Sequence, residues 1–153
     1  MRRRRYVPDL SRLGAVCDGN YVRLTRLIRL SREVDGEVTF ELHDGQRLAG
    51  RVRMQRLQQA RYTDTWLLEQ TQNNGRWLNN PRMTVRSYHD ARMTEVISCY
   101  RYGRIEAVHD YPNRFMHHPD EKMQTNVFLA DWLDFCLRFG KVAGMDTIWT
   151  VQG

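Results

Sequence analysis

The sequence predicts an α+β fold: two N-terminal helices, an antiparallel meander sheet of five or six strands, and a long C-terminal helix packed on one face of that sheet. Three observations carry this. Apolar residues recur at helical spacing from Leu10 to Ile28. From Glu37 to about Val108 the period drops to two, broken by short polar turns. Between Asp120 and Gly140 a mostly apolar stretch again has the length and flanks of a helix.

Pro8-Asp9 reads as a helix entry, followed by Leu10, Leu13 and Cys17 on one stripe. Asp18-Gly19-Asn20 reads as a break, with Asn20 capping a second helix whose stripe is Tyr21, Leu24, Leu27 and Ile28. Arg23, Arg26, Arg29 and Arg32 step by three, which spreads them over about 180° of that helix as a broad basic face, with Arg32 near its end.

Val38, Phe40 and Leu42 alternate with Glu37, Thr39 and Glu41, the pattern of a half-buried strand. A three-residue loop with Gly45 in the left-handed position pairs Phe40 with Leu48, Glu41 with Arg47 and Glu37 with Arg51 in the next strand, Arg47 to Leu57. The third strand spans Arg61 to Thr71, with Tyr62, Trp66 and Leu68 on one face. After the polar loop Asn73 to Pro81 come strands Met83–Tyr88 and Met93–Tyr100, and a short sixth from Ile105 to Val108. The turn His89-Asp90-Ala91-Arg92 places Val85 opposite Val96 and Arg86 opposite Glu95, so both faces agree.

The last helix runs from an Asp120 cap to a Gly140 stop. Gln124, Asp131, Asp134 and Arg138 share one narrow polar sector and nearly everything else is apolar. Such a helix needs cover on more than half its surface, either from the rest of the chain or from a second copy in a homodimer.

A chain of 153 residues with 41% apolar and 27% charged content suits a single domain, 1–153, with a basic start (1–5) expected to be disordered and a tail from 141. No apolar run is long enough for a membrane span, and MRRRRYVPD lacks the apolar segment of a secretory signal. Three cysteines, Cys17, Cys99 and Cys136, without a CxxC pair fit reduced thiols in a cytoplasmic protein. Residues 1–60 carry thirteen arginines against seven acids, which accounts for the whole net charge of +6. A basic end of this kind attracts anions over a range of about 8 Å in physiological salt.

No phosphate loop, nucleophile elbow or HExxH motif is present. His89-Asp90, His109-Asp110 and His117-His118-Pro119-Asp120 match no zinc spacing, so no metal and no cofactor are expected. Read as turn chemistry, they supply tips and a cap; read as chemistry, His89, Asp90, His117 and Asp120 are the candidates for acid–base or metal work. Arg76-Trp77, in an Asn/Gly-rich loop, is a candidate stacking platform or a loop anchor. The cysteines read as buried structural thiols.

RYTDTWLLEQ, MTVRSYHDARMTEV, HDYPN and DEKMQTNVFLADWLDFCLRFG, with the opening RYVPDLSRLGAVCDGNYVRLTRLI, resemble the YqiB-like proteins over roughly residues 4 to 140. The resemblance implies a free-standing cytoplasmic protein and brings no activity, cofactor or catalytic residue with it. The leading expectation is a non-enzymatic binding or regulatory module. Its anionic partner would be a nucleotide, nucleic acid or acidic protein, recognised through Arg23, Arg26 and Arg29, with Arg76 and Trp77. The alternatives are a small hydrolase or metal enzyme built on the His/Asp cluster, and a structural homodimer joined by the last helix.

Overall fold

The computed structural model describes residues 10–73, 80–101, 104–107 and 121–142. The Pro8-Asp9 entry, the basic start, the Asp120 cap and the tail beyond Val142 lie outside them.

One helix, α1 (Leu10–Ser31), stands where two were predicted. Asn20 does not cap anything. It is fully buried, and its side-chain Nδ2 donates to the carbonyl oxygen of Asn126 at 3.1 Å, in the C-terminal helix. Gly19, the other half of the expected break, stays helical inside α1, and its missing side chain leaves room for the guanidinium of Arg23. Tertiary packing thus overrides the local preference of Asp-Gly-Asn for a turn. The helix stops where Arg32 takes a left-handed φ of 57°, a C-terminal geometry that glycine more often supplies.

Six strands then follow as an antiparallel meander: β1 (Glu37–Asp44), β2 (Arg47–Gln59), β3 (Thr63–Asn73), β4 (Arg82–Tyr88), β5 (Met93–Arg101) and β6 (Arg104–Ala107). The second helix, α2 (Glu121–Phe139), leads directly into a two-residue strand, β7 (Gly140–Lys141), which adds antiparallel to β1. The sheet order is β6-β5-β4-β3-β2-β1-β7. Adjacent pairing of consecutive strands was legible in advance; β7 was not, because two residues carry no period.

One face of the sheet is the core. Val38, Met54, Leu68, Met83 and Cys99 form one cross-strand row, and Trp66, Val85 and Val96 another. All are buried beneath α1 and α2 with Leu24, Leu27, Leu129, Trp132, Leu133 and Cys136. Tyr62, expected beside Trp66, instead lies exposed before β3 begins, under the guanidinium of Arg61. The opposite face carries charge pairs. Glu37 accepts from Arg53 at 2.8 Å and Glu41 from Arg51 at 3.4 Å.

The β1–β2 register differs from expectation. Asp44 pairs with Arg47, so the turn holds only Gly45 and Gln46, with Gly45 at φ 64°. A bulge between Leu42 and His43 then shifts the ladder, and Phe40 meets Val52 while Glu41 meets Arg51. Alternation alone cannot reveal an inserted residue, because the period resumes beyond it. The next pair of strands explains why residue 50 is glycine. A Cβ there would sit 2.6 Å from the Gln72 carbonyl and 2.7 Å from Gln70 Nε2. That amide nitrogen donates to Gln72 O while its Oε1 accepts the indole N–H of Trp132 at 3.1 Å in the core.

β6 pairs only with residues 98–101 of β5, which leaves the first half of β5 at an edge among the described residues. Asn126 of α2 closes it: its Oδ1 accepts the Val96 N–H at 3.0 Å, and its Nδ2 donates to the Lys122 carbonyl at 2.8 Å. The apolar surplus of α2 is covered from within the chain. Only Phe128 among its large apolar side chains is exposed.

Asn126→Ala removes the acceptor for Val96 N–H inside a buried interface. We expect a loss of about 1–3 kcal/mol in chemical denaturation, against a change within about 0.5 kcal/mol for Gln124→Ala on the exposed side of the same helix.

Glu41 is held below the ordinary carboxylate range, chiefly by its 3.1 Å hydrogen bond with His43 and further by Arg51, against the opposing effect of burial. A carboxylate whose folded pKa is depressed stabilises the fold above its unfolded value and loses that contribution as pH falls through its folded value. The thermal midpoint of the wild type should therefore exceed that of Glu41→Gln near neutral pH. The gap should close as pH drops below the ordinary glutamate value of about 4.3.

Candidate anion-binding site

Because α1 turns Cys17, Asn20, Leu24 and Leu27 into the core, the residues between them face outward. Tyr21, Val22, Thr25, Arg26 and Arg29 form one wall of a cleft of about 210 Å³, and Arg92 of the β4–β5 turn forms the other. Among the described residues, none of the guanidiniums of Arg26, Arg29 and Arg92 has an ion-pair or hydrogen-bond partner. Arg92 also stands at φ 54°, a left-handed conformation that an arginine adopts at some energetic cost.

The turn carrying Arg92 is fixed in place by its first residue. The backbone N–H of His89 donates to Tyr62 O at 2.8 Å. Its Nδ1 lies 3.0 Å from the Tyr21 hydroxyl on α1, and its Nε2 lies 3.3 Å from Asp64 Oδ2 at the start of β3. Nδ1 faces a hydroxyl and Nε2 a carboxylate; the tautomer with its proton on Nε2 is the one that accepts the phenolic proton at Nδ1. The two rings meet edge to face, 5.8 Å between centroids. Asp64, His89 and Tyr21 thus lie in a row, joined by a 3.3 Å carboxylate–imidazole contact and a 3.0 Å hydrogen bond, with Tyr21 lining the cleft.

Of the residues singled out in the sequence, Arg26 and Arg29 share this cleft. Arg23 lies on the neighbouring flank of α1, where its Nε donates to Asp134 of α2 at 2.8 Å. His89 finds its carboxylate in Asp64; Asp90 beside it is exposed at the turn. Arg76, Trp77, His117 and Asp120 lie outside the described residues. Among the described residues no three His, Cys, Asp or Glu side chains gather in a way that could hold a metal ion, and no helix is long and apolar enough to cross a membrane. Tyr88 turns away from the cleft; its hydroxyl donates to Glu95 at 2.8 Å, and burial together with that bond raises its pKa. Sequence reasoning missed Tyr21, Asp64 and Arg92 as site residues. Only Arg92 had a local signal, as a cation in a turn tip next to His89.

A family model described as "Protein of unknown function (DUF1249)" matches residues 23–142. The Uncharacterized protein YqiB of Escherichia coli K12 is 37% identical over 140 residues, covering 92% of this chain and 96% of that protein. Its counterparts in strains O6:H1 and O157:H7 match at the same identity and coverage. No solved structure matches this chain.

The three thiols belong to the core. Burial, and secondarily the nearby Glu95 carboxylate, push Cys17 up to about 11, and burial alone pushes Cys136 well above its ordinary value. Cys99 is buried as well. Since the thiolate is the reactive form, the folded protein at pH 8 should react with a thiol-directed disulfide reagent far more slowly than a small thiol does. All three cysteines should become titratable on unfolding; a fast-reacting cysteine in the native state would contradict this assignment.

Proposed function

The chain belongs to the DUF1249 family, the YqiB-like proteins that its motifs resemble, and we propose that it is a cytoplasmic, non-enzymatic binding module for a small anionic ligand taken between α1 and the β4–β5 turn. The observation that carries this reading is the gathering of Arg26, Arg29 and Arg92 around one cleft without a neutralising partner among the described residues. Three like charges held together repel one another, and an anion among them relieves that repulsion. Guanidinium forks suit phosphate and carboxylate oxygens, which accept two parallel hydrogen bonds from one arginine. The hydroxyl of Thr25 adds a neutral polar group on the same wall. A cleft of about 210 Å³ suits one anionic group better than a long polymer.

A second reading rests on the Asp64–His89–Tyr21 row. If His89 withdraws the phenolic proton while Asp64 stabilises the resulting imidazolium, the Tyr21 oxygen becomes a nucleophile beside an anion held by arginines. The site would then be that of a small hydrolase, with Asp64 in the place first assigned to Asp90.

One titration separates the readings. Inorganic phosphate and phosphomonoesters are added by calorimetry at low and at physiological salt. Binding should weaken with salt and fall about a hundredfold or more when Arg26 and Arg29 are both replaced by alanine, as expected for two charge-assisted contacts of roughly 1.5–3 kcal/mol each. Arg92→Gly is the sharper variant: glycine is at ease at that positive φ, so the thermal midpoint should hold or rise while affinity drops. Absence of binding at low salt, or affinity indifferent to these arginines, would refute the module. Steady release of phosphate from the ester, lost in Tyr21→Phe, would establish the hydrolase instead.

A further inference from the structure

The arginine cleft is not isolated. Val22 and Arg26 also line a second and larger groove of about 570 Å³, completed by Gly19 and Arg23 of α1 and by Asp134, Leu137 and Arg138 of α2. The two depressions therefore meet across Val22 and Arg26. Val22 is 55% exposed, an apolar ridge flanked on the same helix by Arg23, Arg26 and Arg29.

The groove has a different chemistry from the cleft. Val22 and Leu137 give it apolar surface. Arg23 is held across it by the 2.8 Å bond from its Nε to Asp134 Oδ1, and the missing side chain of Gly19 is what makes room for that guanidinium. Arg138 lies over the Phe139 ring at 5.4 Å. Immobilised guanidinium planes are good stacking surfaces for a flat ring. Asp134, 53% exposed at its side chain, is the groove's one carboxylate among the described residues and acts only as an acceptor.

We propose that cleft and groove form one bipartite site for an organic phosphate monoester with a flat, nitrogen- or hydroxyl-bearing body. The phosphate sits among Arg26, Arg29 and Arg92. The body lies over Val22 and Leu137, stacks on the Arg23 guanidinium, and directs an N–H or O–H donor at Asp134. This inference rests on the anion-binding reading and names its ligand class. Size argues for a monoester over a polyanion: the arginine cleft of about 210 Å³ suits one anionic group, and the groove beside it offers the apolar surface of Val22 and Leu137 to an uncharged body.

Adenosine monophosphate, adenosine, inorganic phosphate and a short oligoribonucleotide are the probes, used with the full-length protein at one fixed salt concentration. The monophosphate should bind about tenfold or more tightly than inorganic phosphate, the scale of one stacked ring and one hydrogen bond. Asp134→Asn, outside the arginine cleft, should cut that preference about threefold and leave affinity for inorganic phosphate unchanged; Val22→Ala, on the ridge that both depressions share, should cut the preference by about as much. Val22→Ala alters an exposed side chain, so it tests the ridge even if loss of the Arg23 ion pair unsettles the other variant; thermal midpoints report on both. Equal affinity for the monophosphate and inorganic phosphate would overturn the bipartite site and leave the arginine cleft intact. Failure of every phosphate to bind would overturn both readings. A preference untouched by either variant, or much tighter binding of the oligonucleotide, would also overturn the proposal.

Discussion

Asn126 is the residue on which the arrangement depends. It is fully buried, and a primary amide in a dry interior is costly unless its donors and acceptors are matched. Here its side chain bonds the exposed edge of β5 and the first turn of its own helix, while its backbone carbonyl takes the side chain of Asn20. Sheet edge, α2 and α1 are thereby joined at one point. Without its side chain the first half of β5 would present an unsatisfied backbone donor; the bond from Asn20 to its carbonyl, together with the Arg23–Asp134 pair, fixes the height of α1 on α2. Apolar packing alone leaves helices freer to slide; two asparagines in register do not.

That height sets the geometry of the surface above. With Asn20 pinned, Tyr21 faces the β4–β5 turn, and Arg26 and Arg29 follow about 1.4 and 2.2 helical turns on, lining the same cleft. Tyr21 and His89 then lock helix and turn together, which brings Arg92 over the helix. On the other flank Arg23 reaches Asp134 across the gap left by Gly19. The arginine-bearing surface is thus a consequence of buried polar contacts, with each exposed guanidinium placed by a neighbour that points inward.

Much of the fold was legible because it repeats. The β4–β5 hairpin could be registered from its sequence, since Val85 with Val96 and Arg86 with Glu95 satisfy both faces at once. The end of α2 at Gly140 was visible too, and the membership in a YqiB-like family followed from motifs in order. The features that escaped are those whose partner lies far away in the chain. Asn20 looks like a cap when its true partner stands 106 positions on. His89 looks paired with Asp90, its neighbour, when its carboxylate is Asp64. The β1–β2 bulge is invisible for a different reason: charge pairing between Glu and Arg is satisfied in either register, so it does not discriminate between them.

The distance between partners also orders events in time. Tyr21 and His89 are 68 positions apart, and the asparagine that fixes the helix beneath them comes 37 positions after His89 in the sequence. A chain made from its N-terminus presents α1 first, as a lone helix with an unsatisfied apolar stripe, and then the meander, hairpin by hairpin. Neither wall of the cleft has its final neighbour until α2 leaves the ribosome. The surface is therefore a property of the chain with its last helix in place: a nascent or truncated product lacking that helix keeps Arg26, Arg29 and Arg92 but lacks the neighbour that fixes α1 beneath them.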